Sequence, residues 1–348
     1  IKNYLRVHPS ALVDSVRVSS ISIKRKIAEI TRGYASRADY AIDKLAEGIA
    51  EVAAAFYPVP VVLRMSQDTT EYQNLIGAQI FSKQARHEWQ GASRYYSKFY
   101  KQAFALECKA IKKAREDWGL SNIEILIPYC RTPEEGKKVL EFMETCGLKR
   151  GEQNLKIQIS CDIPSNLILA EEYAKLFDGL SLGSHVKENP MSLEYAHPVI
   201  RPMLKEVIAL THKYHKTASF LSQHSQLQSN FVEFLVRQGI DSVSVDTDHI
   251  NAAREQISYI EQTVGKTGHK TGGKFLSLVV GCAVLAAGLI NLGAGCAFTG
   301  DKPDNEAVTR DEITPAEIRA QVIKEVTAKK DAEREAGRSK LKISGFVP

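Results

Sequence analysis

FALECKAIKKAREDWGLSNIEILIPYCRTPEEGKKVLEFMETCGLKRGE, residues 104–152, carries one complete helix–strand–helix unit. Residues 97–118 have helical spacing and stop at Gly119. Ile123–Tyr129 is short, apolar and β-branched, the pattern of a strand buried on both faces. Pro133 followed by Glu134 and Glu135 starts a helix over 133–146, and Gly147 stops it. The same order repeats on both sides. Strands are predicted at 60–65, 156–162, 177–183, 217–221 and 240–245, and helices at 39–55, 165–176, 199–215, 228–238 and 248–262. Repeated strand–helix order means a parallel α/β sheet with right-handed crossovers. Six strands fit a doubly wound sheet and a (β/α)8 barrel equally well.

Composition sets the outer limits. The chain has 348 residues, 44% hydrophobic and 25% charged, which excludes disordered and collagen-like classes. One large domain with an appendage fits that length. The net charge of +5 is small and dispersed, so no nucleic-acid footprint is expected. Six cysteines without a CxxC pair do not form a disulfide framework, and a reducing compartment is expected. Ile1–Ser10 lacks the apolar core of a signal peptide.

The character changes after Val264. Residues 265–274 read as a Gly, Lys and His linker. Residues 275–298 are free of charge, and as a helix would be long enough to cross a bilayer. A buried Gly/Ala-rich helix is the other reading; the charge-free length favours a transmembrane helix. Lysines before it and acids after it would place residues 1–264 in the cytoplasm. Residues 299–348 form a charged tail, with an exposed helix over 315–336.

Particular stretches carry a family likeness. DKLAEGIAEVAAAFYPVPVVLRMS (43–66), GASRYY (91–96), the 104–152 block, IPSNLILAEEYAKLFDGLSLGS (163–184) and FVEFLVRQGIDSVSV (231–245) occur in this order. Together they resemble the C-terminal phosphoenolpyruvate (PEP)- and pyruvate-binding domain of phosphoenolpyruvate synthases (pyruvate, water dikinases), within the PEP-utilising enzymes. The resemblance covers roughly residues 3–262. It implies a (β/α)8 TIM-type barrel. The family's first barrel strand, with its substrate arginine, would precede residue 1. So would its ATP-grasp and phosphohistidine domains, so an upstream polypeptide is an expected partner.

The resemblance also assigns residues. The family's half-reaction moves a phosphoryl group from a phosphohistidine to the enolate oxygen of pyruvate. It requires cations for the carboxylate and phosphoryl oxygens, Mg²⁺ held by carboxylates, and a proton donor facing carbon. Arg64 stands at the family's substrate arginine. Arg94 of GASRYY is a second cation, but Gln90 replaces the arginine before Gly91 and cannot supply a fork of donors. Asp162 replaces a metal-binding glutamate. In the second metal motif Ser184 and His185 are followed by Val186, where the family has aspartate. The proton-donor cysteine falls on Phe220 or Leu221, while Gln223 matches the family glutamine and His224 is adjacent. Asp246 and Asp248 follow the last strand, where helix capping is the ordinary role. Cys130 and Cys161 read as core or strand-end thiols. No catalytic residue is assigned. Arg64, Arg94, Ser184 and Gln223 are the expected substrate ligands, and Asp162 the expected Mg²⁺ ligand. A barrel that binds PEP or pyruvate with impaired catalysis is expected, associating as a homo-oligomer. The alternative is a membrane-tethered, non-catalytic scaffold or PEP sensor.

Overall fold

A computed structural model describes residues 2–14, 18, 20–66, 74–78, 91–183, 198–221, 229–245, 247–266, 283–284 and 324. Seven strands form one sheet: β1 (Val61–Arg64), β2 (Ile123–Ile127), β3 (Ile157–Cys161), β4 (Gly179–Leu182), β5 (Thr217–Leu221), β6 (Ser242–Ser244) and β7 (Ala283–Val284). Their order is β6-β5-β4-β3-β2-β1-β7, and every pair is parallel. From β1 to β6 the order in space follows the order in sequence, as a TIM-type barrel requires. Among the described residues the sheet is a curled half-barrel, and no strand pair closes it.

Eleven α-helices are described: α1 (Lys2–Leu5), α2 (Pro9–Val13), α3 (Ile21–Ile30), α4 (Arg37–Phe56), α5 (Lys101–Glu116), α6 (Pro133–Thr145), α7 (Pro164–Ile168), α8 (Ala170–Leu176), α9 (Arg201–Lys213), α10 (Ser229–Arg237) and α11 (Ile250–Lys266). The single helix expected over 165–176 is split at Leu169, whose ψ of 25° leaves the helical range. The helices α1 to α3 were not anticipated.

The two faces of the sheet differ in chemistry. Ile125, Ile127, Ile157, Ile159, Leu180 and Leu182 are wholly buried in the apolar core. Phe220 joins them, edge-on to Phe231 of α10 with ring centroids 5.1 Å apart. The alternate residues Glu124, Gln158, Ser181, Ser219 and Ser242 line a cavity of about 170 Å³ on the opposite face. That cavity includes Pro60, Lys156 and Asp241, each just before a strand, so it extends toward the N-terminal strand ends.

The C-terminal apolar segment needs a correction. Ala283 and Val284 form β7, paired with Leu63 and Arg64 of β1. A continuous helix over 275–298 is therefore not what this chain forms. β1 presents a row of backbone groups on the side away from β2, and Ala283–Val284 pairs with the Leu63–Arg64 part of it. Among the described residues, no helix is long and apolar enough to cross a membrane. The rest of 275–298, the linker from 267 and the tail helix over 315–336, apart from Lys324, lie outside the described residues.

Candidate functional site

Three strand ends converge through backbone and side-chain hydrogen bonds. Arg64 closes β1 and is buried. Two residues on, the Ser66 carbonyl accepts from Arg94 Nη2 at 3.1 Å and from Tyr95 O–H at 2.8 Å. Arg94 Nη2 also donates to Ser66 Oγ at 2.8 Å. The guanidinium lies 3.9 Å from the centre of the Tyr100 ring, within cation–π range. Glu107 of α5 anchors the cluster, accepting from Ser66 Oγ at 2.8 Å and Tyr100 O–H at 2.6 Å. Burial and the Glu107 charge push the Tyr100 phenol well above its ordinary range, so it remains a neutral donor.

GASRYY owes its position to Gly91, which has φ 77°. A Cβ there would run into the carbonyl oxygen of Tyr129. That same oxygen accepts from the Ala92 N–H at 3.1 Å. Tyr129 itself has φ 50°, a left-handed conformation uncommon outside glycine. Its N–H donates to Asp162 Oδ2 at 2.8 Å. A continuous chain of contacts thus joins Asp162 after β3 to Tyr129 after β2, then to Arg94 and Ser66 after β1.

Asp162 is 2% exposed. Its Oδ1 accepts from Ser160 Oγ at 3.0 Å. Asn166 of α7 fixes the turn, accepting from the N–H groups of Asp162 and Ile163 and donating to the Cys130 carbonyl at 2.7 Å. Tyr173 O–H donates to that carbonyl as well. Arg131 pairs with Glu135 and donates to Ser93, closing the ring between the β2 loop and GASRYY. His8 sits beside this cluster, buried, and its Nδ1 accepts from Ser10 N–H at 3.1 Å. Burial, with the Arg94 charge second, lowers its pKa to about 3.

The structure therefore places Arg64 at the C-terminal end of β1 and Asp162 just past that of β3, with β2 between them and Arg94 reaching in from the GASRYY turn. Phe220 faces the helices, and Leu221, one residue on, takes the opposite face at the end of β5. Asp248 is exposed in a short 3-10 turn before α11. Gln90, Ser184, His185, Val186, Gln223, His224 and Asp246 lie outside the described residues. Sequence reading missed Ser66, Tyr100, Glu107 and Tyr129. Glu107 carried one available signal: a carboxylate on the apolar stripe of α5, three residues after Phe104 and four before Ile111.

Among the described residues there is no group of three His, Cys, Asp or Glu side chains able to cage a metal. Mg²⁺ does not need such a cage. It commonly takes one or two carboxylates and completes its shell with water and substrate oxygens. Asp162 fits that requirement as one carboxylate at a strand end.

The family model for the PEP-utilising enzyme, PEP-binding domain matches residues 34–262. A phosphoenolpyruvate synthase of Synechocystis sp. is 39% identical over 282 residues, covering 76% of this chain and 34% of the relative. That of Aquifex aeolicus is 39% identical over 268 residues, covering 72% and 31%. The Escherichia coli phosphoenolpyruvate synthase is 35% identical over 266 residues, covering 72% and 34%. The chain spans about a third of the length of these relatives. Among solved structures, a citrate lyase from Burkholderia xenovorans LB400 aligns with a TM-score of 0.36 at 15% identity, covering 64% of this chain and 70% of that one.

Proposed function

The chain belongs to the PEP-utilising enzymes, in the PEP-binding domain, and from that premise we propose that it binds PEP or pyruvate at the C-terminal ends of β1 to β3. The observation that carries this reading is the contact chain from Asp162 through Tyr129 and Arg94 to Ser66. It holds a carboxylate past the end of β3 and the Arg64 end of β1 in fixed relation across β2. Arg64 pairs with the substrate carboxylate, a charge-assisted contact. Arg94 commits donors to Ser66 and acts as a positioning residue, holding the backbone two residues past Arg64. Asp162, with Tyr129 N–H and Ser160 Oγ fixing its carboxylate, would hold a Mg²⁺ ion. When bound, that ion would stabilise negative charge on the substrate's enolate oxygen.

Turnover is impaired in this reading. Val186 supplies no carboxylate, and Phe220 and Leu221 supply no proton. A positioned acid–base group contributes about 10²–10⁴ in rate, so losing the thiol alone is severe. The phosphoryl donor would come from a phosphohistidine domain, as the family likeness implies.

The test is calorimetric titration of PEP and of oxalate into the full chain. Binding is expected, weakened roughly 10-fold or more by Arg64→Gln, since a hydrogen bond to a charged group contributes about 1.5–3 kcal/mol. Asp162→Asn should remove any Mg²⁺ dependence. Equal affinity in Arg64→Gln, or no binding by the unmodified chain, overturns the site. Pyruvate methyl protons should not exchange with deuterated water in the presence of Mg²⁺. Brisk exchange would overturn the impairment.

A further inference from the structure

The cavity face of the sheet carries one row of serines. Strand register sets Ser160 of β3 beside Ser181 of β4, Ser181 beside Ser219 of β5, and Ser219 beside Ser242 of β6. Side chains of register partners point to the same face, and neighbouring strands lie about 4.7–4.9 Å apart. Four hydroxyls therefore repeat at one regular spacing across four strands. Ser160 is committed, donating to Asp162 Oδ1 at 3.0 Å. Ser181, Ser219 and Ser242 line the cavity and are 5%, 9% and 5% exposed. Their hydroxyls make no hydrogen bond among the described residues.

The charges around this cavity are already balanced. Glu124 accepts from Gln158 Nε2 at 2.7 Å and pairs with Lys156 Nζ at 3.1 Å. Gly179 lets Gln158 lie across the start of β4, since a Cβ there would stand 3.2 Å from the Gln158 side chain. Asp241 accepts from the Ala218 N–H at 2.8 Å and meets His212 Nε2 at 2.8 Å. A charged ligand would have to break one of these pairs to find a counter-ion, and burying it unpaired is costly. At the β1–β2 end the wall is apolar, made by Pro60, Val62 and Leu126.

Hydroxyls at one end, carbon at the other and no free charge call for a ligand built the same way. A cyclic polyol carries hydroxyls around its rim and C–H groups on its faces. Its alternate equatorial hydroxyls repeat at a spacing close to that of the serine row, and each can both donate to a serine and accept from one. The cavity, about 170 Å³, holds the liquid volume of about six waters at ~30 Å³ each, room for one such ring. We propose that it binds one uncharged six-membered polyol ring, a cyclitol or a pyranose. The rim hydroxyls meet Ser181, Ser219 and Ser242, and a C–H face lies on Val62 and Leu126. Buried hydroxyls set to pair with a ligand discriminate against an analogue that leaves them unpaired, so the row selects a ring over an open chain. The cavity extends toward the N-terminal strand ends, away from the proposed PEP site, and the proposal does not depend on PEP binding.

The probe is myo-inositol, titrated into the full chain and followed by saturation-transfer NMR. Its ring protons are expected to receive saturation from the protein. Ser181→Ala should weaken binding about 2–10-fold, the net contribution of one hydrogen bond. Ser219→Cys keeps the shape and replaces the hydroxyl with a weak donor, so it should weaken binding similarly. It decides the matter if circular dichroism shows that Ser181→Ala does not fold. Sorbitol, with the same number of hydroxyls and no ring, should bind more weakly. Saturating oxalate should leave the inositol signal unchanged. Absence of saturation transfer with the unmodified chain overturns the proposal. Unchanged affinity in either folded variant, or equal affinity for sorbitol, overturns it as well. Displacement by oxalate would put the ring at the substrate end and overturn it too.

Discussion

At Gly91 the conformation required is closed to other residues: φ is 77°, and the space for a side chain is held by the Tyr129 carbonyl. Gly91→Ala should destabilise the chain by about 2–4 kcal/mol, because strain and a backbone clash act together. Urea unfolding followed by circular dichroism measures it; a change under about 0.5 kcal/mol, the size of an ordinary surface substitution, would show that the GASRYY turn is not locked. His8 gives a pH-dependent counterpart. Its folded pKa is about 3, below the ordinary 6.5 of an unfolded histidine. Between those values the unfolded chain binds a proton that the folded chain refuses. The His8 contribution is therefore complete above pH 6.5 and is lost as pH falls toward 3, at up to about 1.4 kcal/mol per pH unit. His8→Asn keeps an acceptor for the Ser10 N–H and removes the titration. The stability of this variant should fall less steeply on acidification, and an unaltered slope would refute the assignment.

Elements here begin and end on local chemistry. α6 starts where Thr132 Oγ1 accepts from the Glu135 N–H at 3.2 Å, with Pro133 in the first turn. Glu135 reaches back to the Arg131 N–H at 2.9 Å. Thr132→Ala should cost about 1 kcal/mol, the usual price of a lost N-cap. In thermal unfolding that is a fall of roughly 2–4 °C. No fall would mean that Glu135 alone carries the cap. The strands are shorter than their apolar runs: β2 ends at Ile127 although the run continues to Tyr129. Tyr129 leaves the sheet because its N–H turns to Asp162, a partner 33 residues away. Local sequence carries no mark of that bond.

Across the whole molecule, the middle of the sheet should be its most stable part. β2, β3 and β4 have strands on both sides and helices packed on the apolar face. Among the described residues, β6 lies at one end of the sheet and pairs with β5 alone. Hydrogen exchange read by mass spectrometry should show slow exchange over 123–127, 157–161 and 179–182, and faster exchange over 242–244. Equal protection of β6 would show that another strand covers its outer edge.

The sequence by itself determined the parallel α/β class, the strand–helix order and the family. Each depends on near-neighbour spacing: apolar period, caps such as Thr132, stops such as Gly147, and motif blocks such as GASRYY. It also placed Arg64 and Asp162 at strand ends, since both follow directly from where their strands stop. Tertiary structure alone decided the rest. It joined Asp162, Tyr129, Arg94 and Ser66 into one chain of contacts and buried His8 beside Arg94. It turned Phe220 toward the helices, and it paired Ala283–Val284 with β1 in a segment whose hydropathy reads as a membrane helix. Hydropathy records only that a segment avoids water. Whether lipid, a helix core or the open edge of a sheet takes it up depends on groups distant in sequence, which are neighbours only in the folded chain.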